Sequence, residues 1–228
     1  MEKNAGSAGI FAKNNARKCC AGVAGMLQLS CTQKPASHDR QNGSKRCHGK
    51  GDFGMKVAMI GHKDFPSRSG GVEVMVGGLA VSLVRRGYEV TVYTRGLQKG
   101  HNVYTTEGVQ ARRIFTFQKA SLNAMVYSFL ATFDALTRDC DVIHYHAIGP
   151  SVPLVIAKLF GKHTVCTVHG LNWKVDKWGG FASAYLKLGE RVAAKYADDL
   201  VVLSESEWNY FQEKYDRTAI LIPNAVQM

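Results

Sequence analysis

The chain has 228 residues, 46% hydrophobic and 21% charged, an ordinary globular composition that excludes a fibrous or wholly disordered protein. Its formal net charge of +11 is unevenly spread: residues 1–54 hold nine Lys/Arg against three Asp/Glu, so +6 sits there and only +5 on the remaining 174 residues. A domain at +5 suits anionic ligands or a membrane surface, but lacks the dense basic stripe of a nucleic-acid binder.

Residues 1–54 show no sustained periodicity and are rich in Gly, Ser, Asn, Lys and Arg. That composition cannot bury a core and reads as a disordered or extraneous amino-terminal extension. Within it, "NARKCCAGVAGMLQLSC" has the basic flank and apolar centre of a weak signal segment. The centre is broken by Gly22, Gly25 and Gln28 and is too short to cross a bilayer, which argues against export. Four of the six cysteines (Cys19, Cys20, Cys31 and Cys47) lie here, none in a CxxC pair. A structural zinc site is therefore not expected, and Cys140 and Cys166 read as buried thiols of a cytoplasmic protein.

From Met55 onward strand and helix alternate. "MKVAMIG" is a buried strand; "GVEVMVGGLAVSLVRRG" is a helix with Val72, Val76, Leu79 and Leu83 at helical spacing and Gly87 as its stop. "YEVTVYT" and "VQARRIFTF" are strands, and "SLNAMVYSFLATFDALTR" is a helix with Ser121 as N-cap. The strands "DVIHYH" and "HTVCTVH" flank the helix "SVPLVIAKLFG", which has Pro153 in its first turn and Gly161 beyond its end. The helix "GFASAYLKLGERVAAKYA", the strand "DDLVVLS", the helix "ESEWNYFQEKY" and the strand "AILIPN" complete the chain. Seven strands with intervening helices predict a doubly wound α/β domain over 55–228. Its sheet is mainly parallel and Rossmann-like, with helices on both faces. Such domains bind ligands beyond the carboxyl ends of their strands.

Two features fall at that edge. After the first strand, a loop carrying Lys63 and Arg68 leads to Gly70-Gly71 at the mouth of a helix. Gly70, Gly71 and Val72 read as an anion cradle, with Lys63 and Arg68 as charge partners, because an uncapped helix start offers free N–H groups and a positive dipole end. They read equally as a tight turn needing positive φ. The spacing matches neither GxGxxG nor GxxxxGK[ST], so a nicotinamide or P-loop site is not indicated. The second feature is histidine. His144 and His146, two apart on a strand, share one face; His146 falls at the carboxyl end, and His169 ends the neighbouring strand at the same edge. Such residues are either satisfied polar groups or parts of a site.

Taken in order, "MKVAMIGHKDFPSRSGGVE", "YEVTVYTR", "DVIHYHAIGPS", "TVHGLNWKVDKWGGFASAYLKLGERVAAKYAD" and "LIPNAV" resemble the amino-terminal half of family 4 glycosyltransferases, retaining enzymes of the GT-B fold. The resemblance covers essentially all of 55–228. It implies an acceptor-side Rossmann-like domain that faces a second, donor-binding domain across a cleft, and transfer of a sugar from a nucleotide-sugar co-substrate to a saccharide or lipid-linked acceptor. It places Gly70 and Gly71 near the donor diphosphate, His146 at the reaction centre, His169 on the acceptor side, Ser204 at a strand end facing the cleft, and Asn224 at the interdomain linker. No cofactor or metal is expected, because helix dipoles and basic side chains stabilise the diphosphate leaving group.

Ala225 stands where the linker pattern carries glycine, and Ile148 where similar sequences carry an acid. The donor-binding carboxylates have no counterpart before Met228, so the expectation is a truncated chain, inactive alone. Trp173, with Trp178, Phe181, Lys174 and Lys177 in one loop, reads as an acceptor lid, as a peripheral membrane contact near anionic lipid-linked sugars, or as ordinary packing. No apolar run reaches the ~18 residues of a membrane span. Two other readings stand beside the transferase: a non-catalytic Rossmann-like module completed by a partner domain, and a metal-dependent hydrolase using the His-x-His pair.

Overall fold

The computed structural model describes residues 54–96, 103–117, 120–171 and 180–223. Residues 1–53, Trp173, Lys174, Lys177, Trp178, Asn224 and Ala225 lie outside these. The strands are β1 (Lys56–Ile60), β2 (Glu89–Gly96), β3 (Val103–Thr106), β4 (Val109–Phe115), β5 (Val142–His146), β6 (His163–Thr167), β7 (Asp199–Val202) and β8 (Ile220–Leu221). The helices are α1 (Gly71–Arg85), α2 (Ala120–Thr137), α3 (Leu154–Leu159), α4 (Gly180–Tyr196) and α5 (Glu205–Tyr215).

The sheet runs in the order β3-β4-β2-β1-β5-β6-β7-β8. All neighbours are parallel except β3 and β4. The expected doubly wound α/β fold is therefore present, with one strand more than the seven anticipated. The additional strand, β3, is a four-residue edge strand joined to β4 by Glu107-Gly108, both at positive φ (52° and 79°). That is the primed two-residue turn, whose twist matches a hairpin.

Each helix sits where its apolar stripe finds a sheet face. Val76, Leu79, Ala80 and Leu83 of α1 pack with Val57, Met59, Val90 and Val92 on one face. On the other face Tyr127, Ala131 and Ala135 of α2, Leu154 of α3, Ala193 of α4 and Phe211 of α5 join Ile60, Tyr93, Ile143 and Tyr145. Gly87, at φ 92°, ends α1 as expected, with bonds back from Gly87 N to Val84 O (2.9 Å) and from Tyr88 N to Leu83 O (3.2 Å). Helix α2 begins at Ala120, so Ser121 lies inside its first turn rather than at its cap. Pro153 is the N-cap of the short α3, and Gly161 (φ 73°) follows its end.

The loop after β5 is locked from below by α4. A Cβ on Gly189 would lie 1.9 Å from the carbonyl oxygen of Ile148, and Ser151 Oγ donates to Ile148 O (2.7 Å) and Gly189 O (3.0 Å). The Gly189→Ala substitution should therefore displace backbone and destabilise the fold by about 1–3 kcal/mol, the usual range for overpacking. Gly180→Ala, which meets nothing within 4 Å, serves as control and should shift stability by less than about 0.5 kcal/mol. Urea midpoints of the two variants measure the difference; equal midpoints would contradict the close approach of α4 to this loop.

Candidate active site at the sheet crevice

The chain runs outward from β1 through β2 to the β3–β4 edge, then returns to β5 on the other side of β1. The strand order reverses between β1 and β5, and the crevice beyond their carboxyl ends is where a doubly wound sheet takes its ligand. Gly61, at φ 134°, leaves β1 there. A Cβ on it would lie 2.1 Å from the carbonyl oxygen of His146, so only glycine lets the two strand ends meet. Ala147 then turns away from β5 at φ 82°, a conformation that costs a non-glycine residue roughly 1–3 kcal/mol. Its N–H is anchored on Thr167 O at 2.8 Å.

This geometry gathers four imidazoles. His146 is fully buried; its Nδ1 lies 3.4 Å from His169 Nε2, and its Nε2 has no partner. His144, one strand step deeper on the same face, stacks 4.0 Å from His146 and pairs through Nε2 with Thr167 Oγ1 at 2.7 Å. His169 lies two residues past β6, rather than within it, and is partly exposed. The fourth, His62, was not singled out by sequence reasoning. It is 2% exposed, sits edge-on to His146 at 6.3 Å, and leaves both ring nitrogens unpartnered. Its only sequence signal was its place two residues beyond a strand end at the ligand edge.

Burial keeps all four rings neutral. It pulls His62 down to about 3, with the charge of Arg95 adding to the effect. His144 falls to about 3 and His169 to about 4, burial being the leading cause in each. His146 lies well below the ordinary histidine value, through burial first and then the neighbouring His144, His169 and His62. A ring so hard to protonate is a poor general base at neutral pH, so the chemistry open to His146 is hydrogen bonding through Nε2.

Gly70 and Gly71 do not form the tight turn that is one of their two expected readings. Gly70 is the N-cap of α1 in extended backbone (φ −166°, ψ 160°), and neither Gly70 nor Gly71 has positive φ, so the tight-turn reading is set aside. No side chain caps the helix, and a Cβ on Gly71 would meet nothing within 4 Å. Val72 follows in the first turn, partly buried. The start of α1 thus presents N–H groups to an open edge, although the Glu73 carboxylate folds back beside Gly70. Lys63 and Arg68 are exposed and make no ion pair with any described residue.

Ser204 lies two residues past β7, where it caps α5, its side chain accepting from Glu207 N at 3.3 Å. Leu203 N donates in turn to Glu207 Oε2 at 3.1 Å. Trp173 lies outside the described residues. Among those described, no group of three or more His, Cys, Asp and Glu residues is arranged to hold a metal ion, and no helix is long and apolar enough to cross a membrane. Cys140 and Cys166 are buried free thiols, pushed up by burial to about 11 and about 12.

A mostly parallel sheet with helices on both faces defines a doubly wound, Rossmann-like α/β domain, and its switch point is the place where such folds take ligands. The chain belongs to Glycosyltransferase Family 4, whose sequence model matches residues 69–228. Its fold is similar to that of sucrose-phosphate synthase from Thermosynechococcus elongatus, with TM-score 0.55 and 18% identity over 74% of this chain and 48% of that one. A second structure of that synthase, covered over 91% of its length, matches 76% of this chain with TM-score 0.53 and 15% identity. The chain thus spans about half the length of the first of these neighbours, and at such identities the likeness concerns the fold alone. No curated protein sequence matches the chain significantly.

The neutral histidines carry a pH signature. An unfolded histidine binds its proton below ~6.5, whereas buried His62 and His144 resist doing so until about 3. Between those values the unfolded state holds more protons, so stability is full above pH ~6.5 and falls as pH drops toward 3. Each such residue contributes a slope of about 1.4 kcal/mol per pH unit. Urea unfolding between pH 7 and 4.5 should show this loss, and His144→Gln should reduce the slope by about one proton. A slope unchanged in that variant would mean that His144 is protonated in the native protein.

Proposed function

We propose that residues 55–228 are the acceptor-side domain of a retaining GT-B glycosyltransferase. In this reading the crevice between β1 and β5 forms one wall of the reaction centre, and a second Rossmann-like domain supplies the nucleotide-sugar site. The observation that carries it is His146 at the strand-order reversal, fully buried, neutral, with a free Nε2, at the sheet edge from which the chain leaves β1 toward the uncapped start of α1. The family match supports the transferase class. The half of the synthase that this chain leaves uncovered is consistent with a second wall.

In the mechanism the diphosphate of the nucleotide sugar sits at the N–H groups of Gly70, Gly71 and Val72. The dipole of α1, with Lys63 and Arg68, meets the negative charge that develops as the leaving group departs. No cofactor takes part, the nucleotide sugar being a co-substrate. His146, held by His144 beneath and His169 beside, offers Nε2 to a hydroxyl of the transferred sugar and fixes its orientation without taking a proton. His169, partly exposed, faces the acceptor, and Ser204 belongs to that side. Holding donor and acceptor together supplies ~7–11 kcal/mol of barrier reduction, and this domain provides only one of the two walls. Residues 1–228 alone should therefore be inactive.

A non-catalytic module closed by a partner domain is the second reading. It is favoured by Val74, Phe117 and Phe181, which stand 48%, 50% and 67% exposed at or near the carboxyl ends of the strands and would be covered by such a partner.

Sugar transfer measured with labelled nucleotide sugars separates the two. Joined to a donor domain, the chain should transfer sugar, and His146→Ala should lower kcat by about 100-fold or more, as when one preorganised hydrogen bond is removed from a transition state. Robust transfer by 1–228 alone would overturn the division of labour. Unchanged kcat in His146→Ala would remove His146 from the reaction centre.

A further inference from the structure

Arg95, at the ligand edge, forms no ion pair with any described carboxylate. It stands next to last in β2, and its backbone N–H donates to Lys63 O at 2.9 Å, tying the loop after β1 to this strand. Its guanidinium carbon lies 5.3 Å from the centre of the Tyr127 ring. Tyr127 is itself clamped: its hydroxyl donates to Tyr93 O at 2.6 Å and accepts from Gly61 N at 3.2 Å. The guanidinium is thus held against a fixed aromatic face, while its Nε is sealed from solvent and has no hydrogen-bond partner. Glu73 acts on it only as a nearby charge, and no described carboxylate forms an ion pair with it.

Arg112, the neighbouring arginine on β4, has an ion pair that Arg95 lacks: its Nη2 donates to Asp134 Oδ1 at 3.1 Å, and its Nε, though not aligned for a hydrogen bond, lies 2.8 Å from Asp134 Oδ2. Removing a charge from water without a partner is costly, and a fold tolerates it mainly where function needs it. Beside Arg95 lies a second unsatisfied group, His62, 2% exposed with both ring nitrogens unpartnered and held neutral in part by the charge of Arg95.

We propose that Arg95, on its Tyr127 platform and next to His62, binds an oxyanion, a phosphate or carboxylate carried by a substrate that enters the carboxyl edge of the sheet. With Nε sealed, the two terminal Nη groups are the ones that can meet a ligand, and their N–H groups match the two oxygens of such a group. The site is separate from the start of α1, which offers backbone N–H groups rather than a fixed charge. Naming that substrate the acceptor rests on the glycosyltransferase reading; the binding of an oxyanion does not.

The test is thermal unfolding of the full chain at constant ionic strength, with inorganic phosphate and a hexose phosphate titrated separately. For the wild type both should raise Tm saturably, the hexose phosphate at lower concentration. Arg95→Gln should lose both effects, and in phosphate-free buffer it should unfold at or above the wild-type Tm, since an uncompensated charge is gone. Arg95→Lys, which keeps the charge but not the fork, should bind more weakly, and it carries the test if the glutamine variant does not fold. A lowered Tm in Arg95→Gln with the phosphate effect intact would make Arg95 a structural residue and overturn the site. So would the absence of any phosphate effect on the wild type. Equal response to phosphate and hexose phosphate would overturn the assignment to a substrate. Failure of sugar transfer in a two-domain enzyme would remove the transferase reading and leave this site standing.

Discussion

The ends of β1 and β5 meet at a distance that leaves no room for a side chain. The position of a Gly61 Cβ falls 2.1 Å from the His146 carbonyl oxygen, and most of the site follows from that contact. It sets where the chain leaves β1, and so brings His62 edge-on to His146. It places Gly61 N against the Tyr127 hydroxyl, which in turn fixes the aromatic face under Arg95. On the β5 side the same closeness leaves Ala147 to make its turn at positive φ, with its N–H anchored on Thr167. From below, Gly189 of α4 presses on the Ile148 carbonyl and holds the loop in place. Two glycines, one on each side of this loop, let backbone pack against backbone where side chains would separate the layers.

Within that frame the polar groups are arranged against local stability. Three imidazole nitrogens, on His62 and His146, are buried without partners, and each unsatisfied group of this kind costs about 1–3 kcal/mol. Arg95, whose charge acts on His62, adds a guanidinium that no described carboxylate holds in an ion pair. The sheet beneath is continuous and well packed, with Met59, Val92 and Tyr145 essentially sealed from solvent, and it bears that strain. Groups held ready in this way are oriented before a ligand arrives, which is the condition for strong electrostatic stabilisation at a reaction centre.

Neutrality distinguishes this cluster from an acid–base site. Burial overrides any gain from protonation, so the histidines act as fixed dipoles that donate and accept hydrogen bonds. The positive end of the α1 dipole and the guanidinium of Arg95 then provide the positive character of the crevice. Both are independent of pH across the physiological range. Membership of Glycosyltransferase Family 4 accords with such a crevice.

Much of this was legible from residue order alone. The apolar periods of "GVEVMVGGLAVSLVRRG" and "DVIHYH" identify a helix and a buried strand because burial demands those spacings, and alternating elements of that kind produce a parallel sheet. The His-x-His pair had to share a face, and Gly70-Gly71 had to stand at a helix mouth. The four-residue β3 escaped because its pattern is short and half-polar and its place is set by pairing with β4. His62 and Arg95 escaped for a different reason. Their meaning lies in what surrounds them, and a linear pattern carries no information about missing partners. Sequence by itself determined the fold class and the sheet edge at which the histidines and Gly70-Gly71 stand, since periodicity and glycine position are local properties of a chain. Only the tertiary structure decided that the histidines are neutral and that Arg95 forms no ion pair with a described carboxylate, because desolvation and pairing depend on groups brought together from distant parts of the chain.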